Sequence, residues 1–319
     1  MLLLKKSYDK CIEIFKLNYK KDYIGLFILN HNKMKHYCAF FSFIKIIDNI
    51  INSNIPYIQK KKKLFDLERI FFLFYKNYKR DKDNAIFLTE YVSKNYKDFF
   101  NIHLALFDTF DKFEFGEHNI ISIFKIKRMD LDTYIYNTFN NLEVFLSEFG
   151  EVYAEFIYLL FKNDNESLDV YDYIYTLGKS IQFNYILFNI KNDYEKDPIK
   201  VYLPVDEQEE CLCDIERELP MIINSEKENV NFKKLINYQI TRLDKFYNYS
   251  QVGINKINKK YSNVIESYVK CYCEQNKKIV NEEFNILNEE YNFSYYQFFK
   301  NLDWYNIFII IFNYIYFFI

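Results

Sequence analysis

The chain has 319 residues and a formal net charge of −2; half of its side chains are hydrophobic, and it holds only five glycines and four prolines. That length can bury a large core, but tracts free of glycine and proline, such as 57–115, leave too few turn formers for a sandwich or a doubly wound sheet. The same scarcity excludes glycine-rich phosphate loops, and the interspersed charge excludes a broad electrostatic attraction to nucleic acid.

What remains is an all-α chain of helices joined by polar loops. Residues 7–20 place Tyr8, Cys11, Ile14 and Phe15 on one face of an amphipathic helix. It begins so near the first methionine that little room is expected for a separate cleavable presequence, although an uncleaved amphipathic start is readable by a mitochondrial importer. Further helical patterns run over 33–52, 57–78, 84–110, 131–162, 167–196, 205–223, 229–247, 251–283 and 292–319. The run Lys60 to Lys63 is the only basic block and reads as a solvated helix start in preference to a contact with an anionic surface. Cys211 with Cys213 and Cys271 with Cys273 lie two apart in helix-like sequence, where side chains point to different faces, so zinc is not expected there. His31, His36, His103 and His118 show no ligand spacing. From Trp304 to Ile319 no residue is charged. That segment gives about 24 Å of helix at 1.5 Å per residue, short of the roughly 20 residues of a membrane span. A buried closing helix is therefore expected over a membrane tail, with Asn306 and Asn313 facing away from lipid, and monotopic attachment stays open.

Two segments share a chemical theme. FSFIKIIDNIIN (41–52) puts Asp48 and Asn52 four residues apart on one helix face, and QFNYILFNIKND (182–193) does the same with Asn189 and Asp193. In an all-α fold two such helices can face each other and hold a metal-bridged anion. Magnesium favours oxygen ligands, and carboxylates serve because they also offset its charge.

The run LGKSIQFNYILFNIKNDYEKDPIKVYLP (177–204) resembles the second signature of the squalene and phytoene synthase family, LGxAxQxTNILRDVxED followed by RIYLP. Residues 41–52 resemble its first signature, YAFCRxxDDxxD, and RMDLDTYIYNTFNNLEVF (128–145) resembles its middle segment. The resemblance covers roughly 8–285 and implies a single-domain helical bundle of the trans-isoprenyl diphosphate synthase type, followed by an apolar helix at 286–319 that closes the bundle or touches membrane. In active members, two Asp-x-x-x-Asp pairs hold magnesium ions on the diphosphates of two prenyl substrates while an apolar tunnel shields a carbocation.

Carried over by position, Asp48 and Asp193 keep one carboxylate of each pair, while Asn52 and Asn189 replace the other. Asn49 stands for a second aspartate, Asn192 for a glutamate and Phe188 for an arginine. An asparagine offers one neutral oxygen and cannot offset clustered divalent charge. Phe145 stands for a tyrosine, and Phe149, Glu151 and Val152 fall where a small Val-Ala-Gly run is usual, so filled tunnel space is expected. Lys45, Gln182, Lys200 and Tyr202 are kept or conservatively replaced, and they would bind substrate in an active enzyme. Counted backward from Tyr202, the second motif shifts by one turn, making Asp193 and Asp197 a pair, although Pro198 would leave Asp197 at a frayed end.

The entry CIEIFKLNYKKDYIGLFILN (11–30), the segment NEEFNILNEEYNFSYYQFF (281–299) and LGK…KVYLP resemble the non-catalytic complex I assembly factor 6 branch of this family. That resemblance implies a pseudoenzyme without a cofactor, on the matrix side of the mitochondrial inner membrane. Its partners would be assembly intermediates of a respiratory complex, with no nucleic acid and a possible membrane contact through 304–319. The competing reading is a magnesium-dependent head-to-head prenyl diphosphate transferase with a reduced acidic motif, using Asp48, Asp193 and Asp197 as metal ligands.

Overall fold

The computed structural model describes residues 2–80, 92, 94–161, 170–196, 198–224, 229–256, 259–281 and 295–318. The chain is all-α, and its described residues fall into two compact units, 1–131 with 308–319 and Asp132–Ile307.

In the first unit α1 (Leu2–Asn18), α2 (Lys20–Gly25) and a 3-10 turn (Leu26–Ile28) lead into α3 (His31–Ile51), α4 (Tyr57–Arg80), α5 (Lys97–Lys112) and α6 (Glu117–Asp132). The core between them is built from rings. Phe43 of α3 lies 5.2 Å from Phe71 of α4 and 5.8 Å from Phe124 of α6, and Phe71 lies 5.3 Å from Phe107 of α5. Each is buried, and a buried ring of this size contributes more apolar area than any aliphatic side chain. Two serines dock α1. The Ser42 hydroxyl donates to the Cys11 carbonyl at 2.8 Å, and the Ser7 hydroxyl accepts the Ala105 amide at 3.1 Å.

A polar network crosses this core. Tyr8 donates its only proton to Asp108 Oδ2 at 2.6 Å, and Thr109 donates its own to the Ala105 carbonyl at 2.7 Å. His36 Nδ1 lies 2.9 Å from both hydroxyl oxygens and must therefore be the donor to them. That leaves Nε2 as an acceptor, 3.3 Å from the Lys112 ammonium. The imidazole is thus neutral and fully buried.

The second unit holds α7 (Phe139–Phe161), α8 (Tyr171–Phe188), α9 (Ile190–Tyr194), α10 (Val205–Glu210), α11 (Ile215–Asn224), α12 (Val230–Ile254), α13 (Lys259–Asn281), α14 (Tyr295–Lys300) and the first turn of α15 (Trp304–Phe318). The α8 helix is its centre, and close approach is why glycines sit there. A Cβ on Gly178 would come 3.0 Å from the Gly150 Cα of α7, and a Cβ on Gly253 of α12 would come 2.1 Å from the Tyr173 Cβ of α8. Buried Glu207 joins α10 to α12, accepting from Arg242 Nη2 at 2.5 Å and Gln239 Nε2 at 2.7 Å, while Arg242 stacks 3.5 Å over the Phe139 ring.

Several predicted boundaries are corrected. Residues 117–132 form a helix that the sequence reading left out. The helix expected from 131 begins only at Phe139, because residues 134–137 pair with the segment after α9: Val201 N–H donates to the Tyr134 carbonyl at 2.8 Å and Val205 N–H to that of Tyr136 at 2.9 Å. The helix expected over 167–196 breaks at Asn189. The one over 205–223 breaks at 211–214, where Leu212 takes a positive φ of 54°. The next junction falls after Ile254, not near 247. Residues 84–91 and 93 of the expected helix over 84–110 lie outside the described residues.

In α15, Asn306 and Ile310 are buried, and Asn313 Nδ2 donates to the Phe27 carbonyl at 2.6 Å. Trp304 (86% exposed), Tyr305, Phe308 and Ile311 face outward. No helix among the described residues is long and apolar enough to cross a membrane.

The His36 network sets a pH dependence. Burial, then the nearby Lys112 and Lys35 charges, pulls its pKa from 6.5 down to about 3. The unfolded chain therefore takes up a proton below pH 6.5 that the folded chain refuses, so this stability is full above 6.5 and is lost as pH falls toward 3. The loss approaches about 1.4 kcal/mol per pH unit. Urea unfolding at pH 7, 6 and 5 should show the fall in the wild type and a shallower one in His36→Gln; equal slopes would show that His36 titrates normally.

Candidate functional site

The first motif sits where α3 ends. Asn52 caps the helix at φ −88° and ψ 5°, its amide donating to the Asp48 carbonyl at 2.8 Å, and it is exposed, as is Asn49. The last turn of a helix carries partial negative charge from unpaired carbonyls, so a carboxylate there calls for a cation. Lys127 of α6 supplies it, its ammonium donating to Asp48 Oδ1 at 2.6 Å with the two side chains 11% and 26% exposed. Burial pushes the Lys127 ammonium down, but the charge of Asp48, with that of Asp130, outweighs it and holds its pKa above the ordinary lysine value. Lys45, one turn before Asp48, is half-buried.

The second motif, in the other unit, has the same electrostatic form. Asn189 is the cap at the end of α8 (φ −106°, ψ 11°), and its side chain folds back so that Nδ2 donates to the Tyr185 carbonyl at 2.8 Å and Oδ1 accepts from Asn192 at 3.2 Å. This local bond competes with the helical ladder and explains the break. Asp193 is buried in α9, its Oδ1 accepting from Lys196 Nζ at 2.6 Å and its carbonyl from the Lys200 amide at 3.0 Å. Asp197, the alternative partner of Asp193, lies outside the described residues.

Around this motif the frame is kept. Lys200 and Tyr202 are buried, 3.5 Å apart from Nζ to Oη, and the Tyr202 ring stacks on Tyr136 at 5.8 Å and tilts against Phe145 at 6.1 Å. Gln182 and Phe188 are half-buried, with Phe188 6.5 Å from the Tyr272 ring. Phe145 and Val152 are buried, and half-buried Phe149 stacks on Tyr153 at 6.3 Å. Glu151 is exposed, so the expectation that it fills interior space is wrong: its position on α7 turns it to solvent.

Among the described residues, the donor set at these positions does not fit magnesium. Each position offers one carboxylate, an amide in place of the second, and an ammonium 2.6 Å from the carboxylate that a dication would have to displace. Among the described residues no group of three or more His, Cys, Asp or Glu side chains comes together. The cysteine pairs do not favour metal either. Burial, then nearby acids, pushes the Cys213 thiol up to about 12 and the Cys273 thiol up to about 11, away from thiolate.

The sequence reading missed both lysines. Lys196 was legible, three residues after Asp193 on one helical turn. Lys127, in α6, carries no local signal.

Comparison with known proteins follows the fold. A family model described as squalene/phytoene synthase matches residues 18–296. A dehydrosqualene synthase solved with a ligand superposes at a TM-score of 0.72 with 18% identity, covering 93% of this chain and 94% of that one. The squalene synthase HpnC from Alicyclobacillus acidocaldarius gives 0.66 at 10% identity over 89% and 97%. TcSQS in complex with a ligand gives 0.66 at 11% over 95% and 89%. At such identities the likeness is one of fold, the isoprenoid synthase fold. No curated protein sequence matches significantly.

If Lys127 neutralises Asp48, removing it leaves a partly buried carboxylate unpaired, and Lys127→Ala should destabilise the protein by about 1–3 kcal/mol. The double variant Asp48→Asn with Lys127→Met should recover most of that loss in a urea-unfolding double-mutant cycle, whereas additive losses would mean that the two side chains do not interact.

Proposed function

The chain belongs to the squalene/phytoene synthase family, and we propose that it is a member that keeps the fold without the metal-diphosphate chemistry. The observation that carries this reading is that both retained carboxylates, Asp48 and Asp193, hold a lysine ammonium at 2.6 Å. Their former partners are the neutral Asn52 and Asn189, and the arginine position holds Phe188. Every change removes the charge that a magnesium-bound diphosphate needs.

Within that reading, the protein acts as a scaffold or assembly protein of a mitochondrial respiratory complex, of the complex I assembly factor 6 type, without a cofactor. Support comes from the entry segment 11–30 and from the LGK…KVYLP run. Its place would be the matrix side of the inner membrane. There α15 would rest on the bilayer surface, because its polar Asn306 and Asn313 face the protein while Trp304, Tyr305, Phe308 and Ile311 face outward, the reverse of an ordinary surface helix.

The second reading, a magnesium-dependent head-to-head prenyl transferase, draws on the retained Lys45, Gln182, Lys200 and Tyr202 and on the activities named for the similar structures. Incubation of the full chain with farnesyl or geranylgeranyl diphosphate and magnesium decides between the two. No diphosphate release above a protein-free control is expected. Release that requires magnesium and disappears in Asp48→Ala would establish the transferase instead.

A further inference from the structure

The solvent face of α4 carries a pattern that neither the core nor the motifs use. Ile58, Lys62, Phe65, Arg69, Leu73, Lys76 and Arg80 follow one another at steps of four, three, four, four, three and four residues, which is the period of a single helical stripe. All seven are exposed, Ile58 at 78%, Phe65 at 65% and Leu73 at 50%. The opposite face holds the buried Leu64, Leu67, Ile70, Phe71, Phe74, Tyr75 and Tyr78. The stripe is therefore a crest about 33 Å long at 1.5 Å per residue, alternating bulky apolar and basic side chains with no acid on it.

The charge is local. The whole chain is at −2, yet α4 holds eight basic residues against two acidic ones. Of those two, Glu68 turns away from the crest to pair with Arg128, and Asp66 is half-buried at its flank. Lys62, Arg69, Lys76 and Arg80 form no ion pair with another described residue. An ordinary solvated face places charges but has no use for three exposed bulky hydrophobes in register with them. Water-exposed apolar area of this kind is favourable only when something covers it.

We propose that the α4 crest docks on an anionic lipid surface, with Lys62, Arg69, Lys76 and Arg80 at the headgroup phosphates and Ile58, Phe65 and Leu73 entering the boundary with the acyl chains. Charge complementarity identifies the partner: a basic stripe with interleaved apolar side chains fits a surface that is at once anionic and apolar beneath. Of the run Lys60 to Lys63, which in the sequence alone reads as a solvated helix start, Lys62 lies on this face. This extends the membrane contact proposed for α15. The two are separable, because α15 carries no charge and would bind neutral and anionic bilayers alike. The docking does not depend on whether the acidic motifs do chemistry.

The test is flotation of the full chain with phosphatidylcholine vesicles, with and without about one third phosphatidylserine. With each cation near the surface worth roughly a factor of five, the wild type should bind the anionic vesicles at least 10-fold better. Lys62→Gln, Arg69→Gln and Lys76→Gln together should abolish that preference without changing thermal stability, since all three side chains are exposed. The set Ile58→Gln, Phe65→Gln and Leu73→Gln should also weaken binding several-fold. No preference for anionic vesicles in the wild type would overturn the proposal, as would a preference that survives the triple cation variant. Loss only in the cation variant, with the apolar variant unchanged, would mean a generic polyanion site and would overturn the lipid assignment.

Discussion

The end of a helix is an electrostatic problem. Its last carbonyls have no amide partners, and a carboxylate placed among them adds a full negative charge to a region already partly negative. At the end of α3 that carboxylate is Asp48; Asp193 lies in the short helix α9, where its burial is what calls for a cation. Both positions need cations to be tolerated. Here the cations are covalently part of the chain, Lys127 in one unit and Lys196 in the other. A dication would have to dislodge an ammonium that is already hydrogen-bonded, and would find an amide where the second carboxylate should be. In the proposed reading the missing acidic residues and the paired lysines go together, the positive charge at these positions coming from lysine.

That substitution leaves the fold intact because the fold rests on other contacts. The first unit is held by aromatic packing around Phe43 and Phe71, the second by the glycine-mediated approach of α7 and α12 to α8 and by the Glu207–Arg242 pair. None of these involves Asn52 or Asn189. The frame of the second motif also survives, since the exit segment through Tyr202 pairs through its backbone with 134–137, and backbone pairing is indifferent to the side chains at 189 and 193.

Much of this was legible in the sequence, for reasons that differ by element. The motif segments keep enough residues, Gly178, Gln182, Tyr202, Leu203 and Pro204 among them, to reveal the family. Helix α6 was missed because Ile120, Ile121, Ile123, Phe124 and Ile126 form a nearly continuous apolar run that hides its period. The break at 211–214 was missed because the residue that takes the left-handed conformation is Leu212, where a glycine or asparagine would have marked the turn. The break at Asn189 is a local competition between a side-chain amide and the ladder. The Asp48–Lys127 pair had no signal at all, since partners on different helices meet only in the folded chain.

The proposed replacement of metal by lysine at both motifs can be probed by titrating the full wild-type chain with magnesium and a non-hydrolysable farnesyl diphosphate analogue in a calorimeter. No magnesium-dependent binding of the analogue is expected at millimolar magnesium. Saturable binding that requires magnesium and is lost in Asp48→Ala would contradict it.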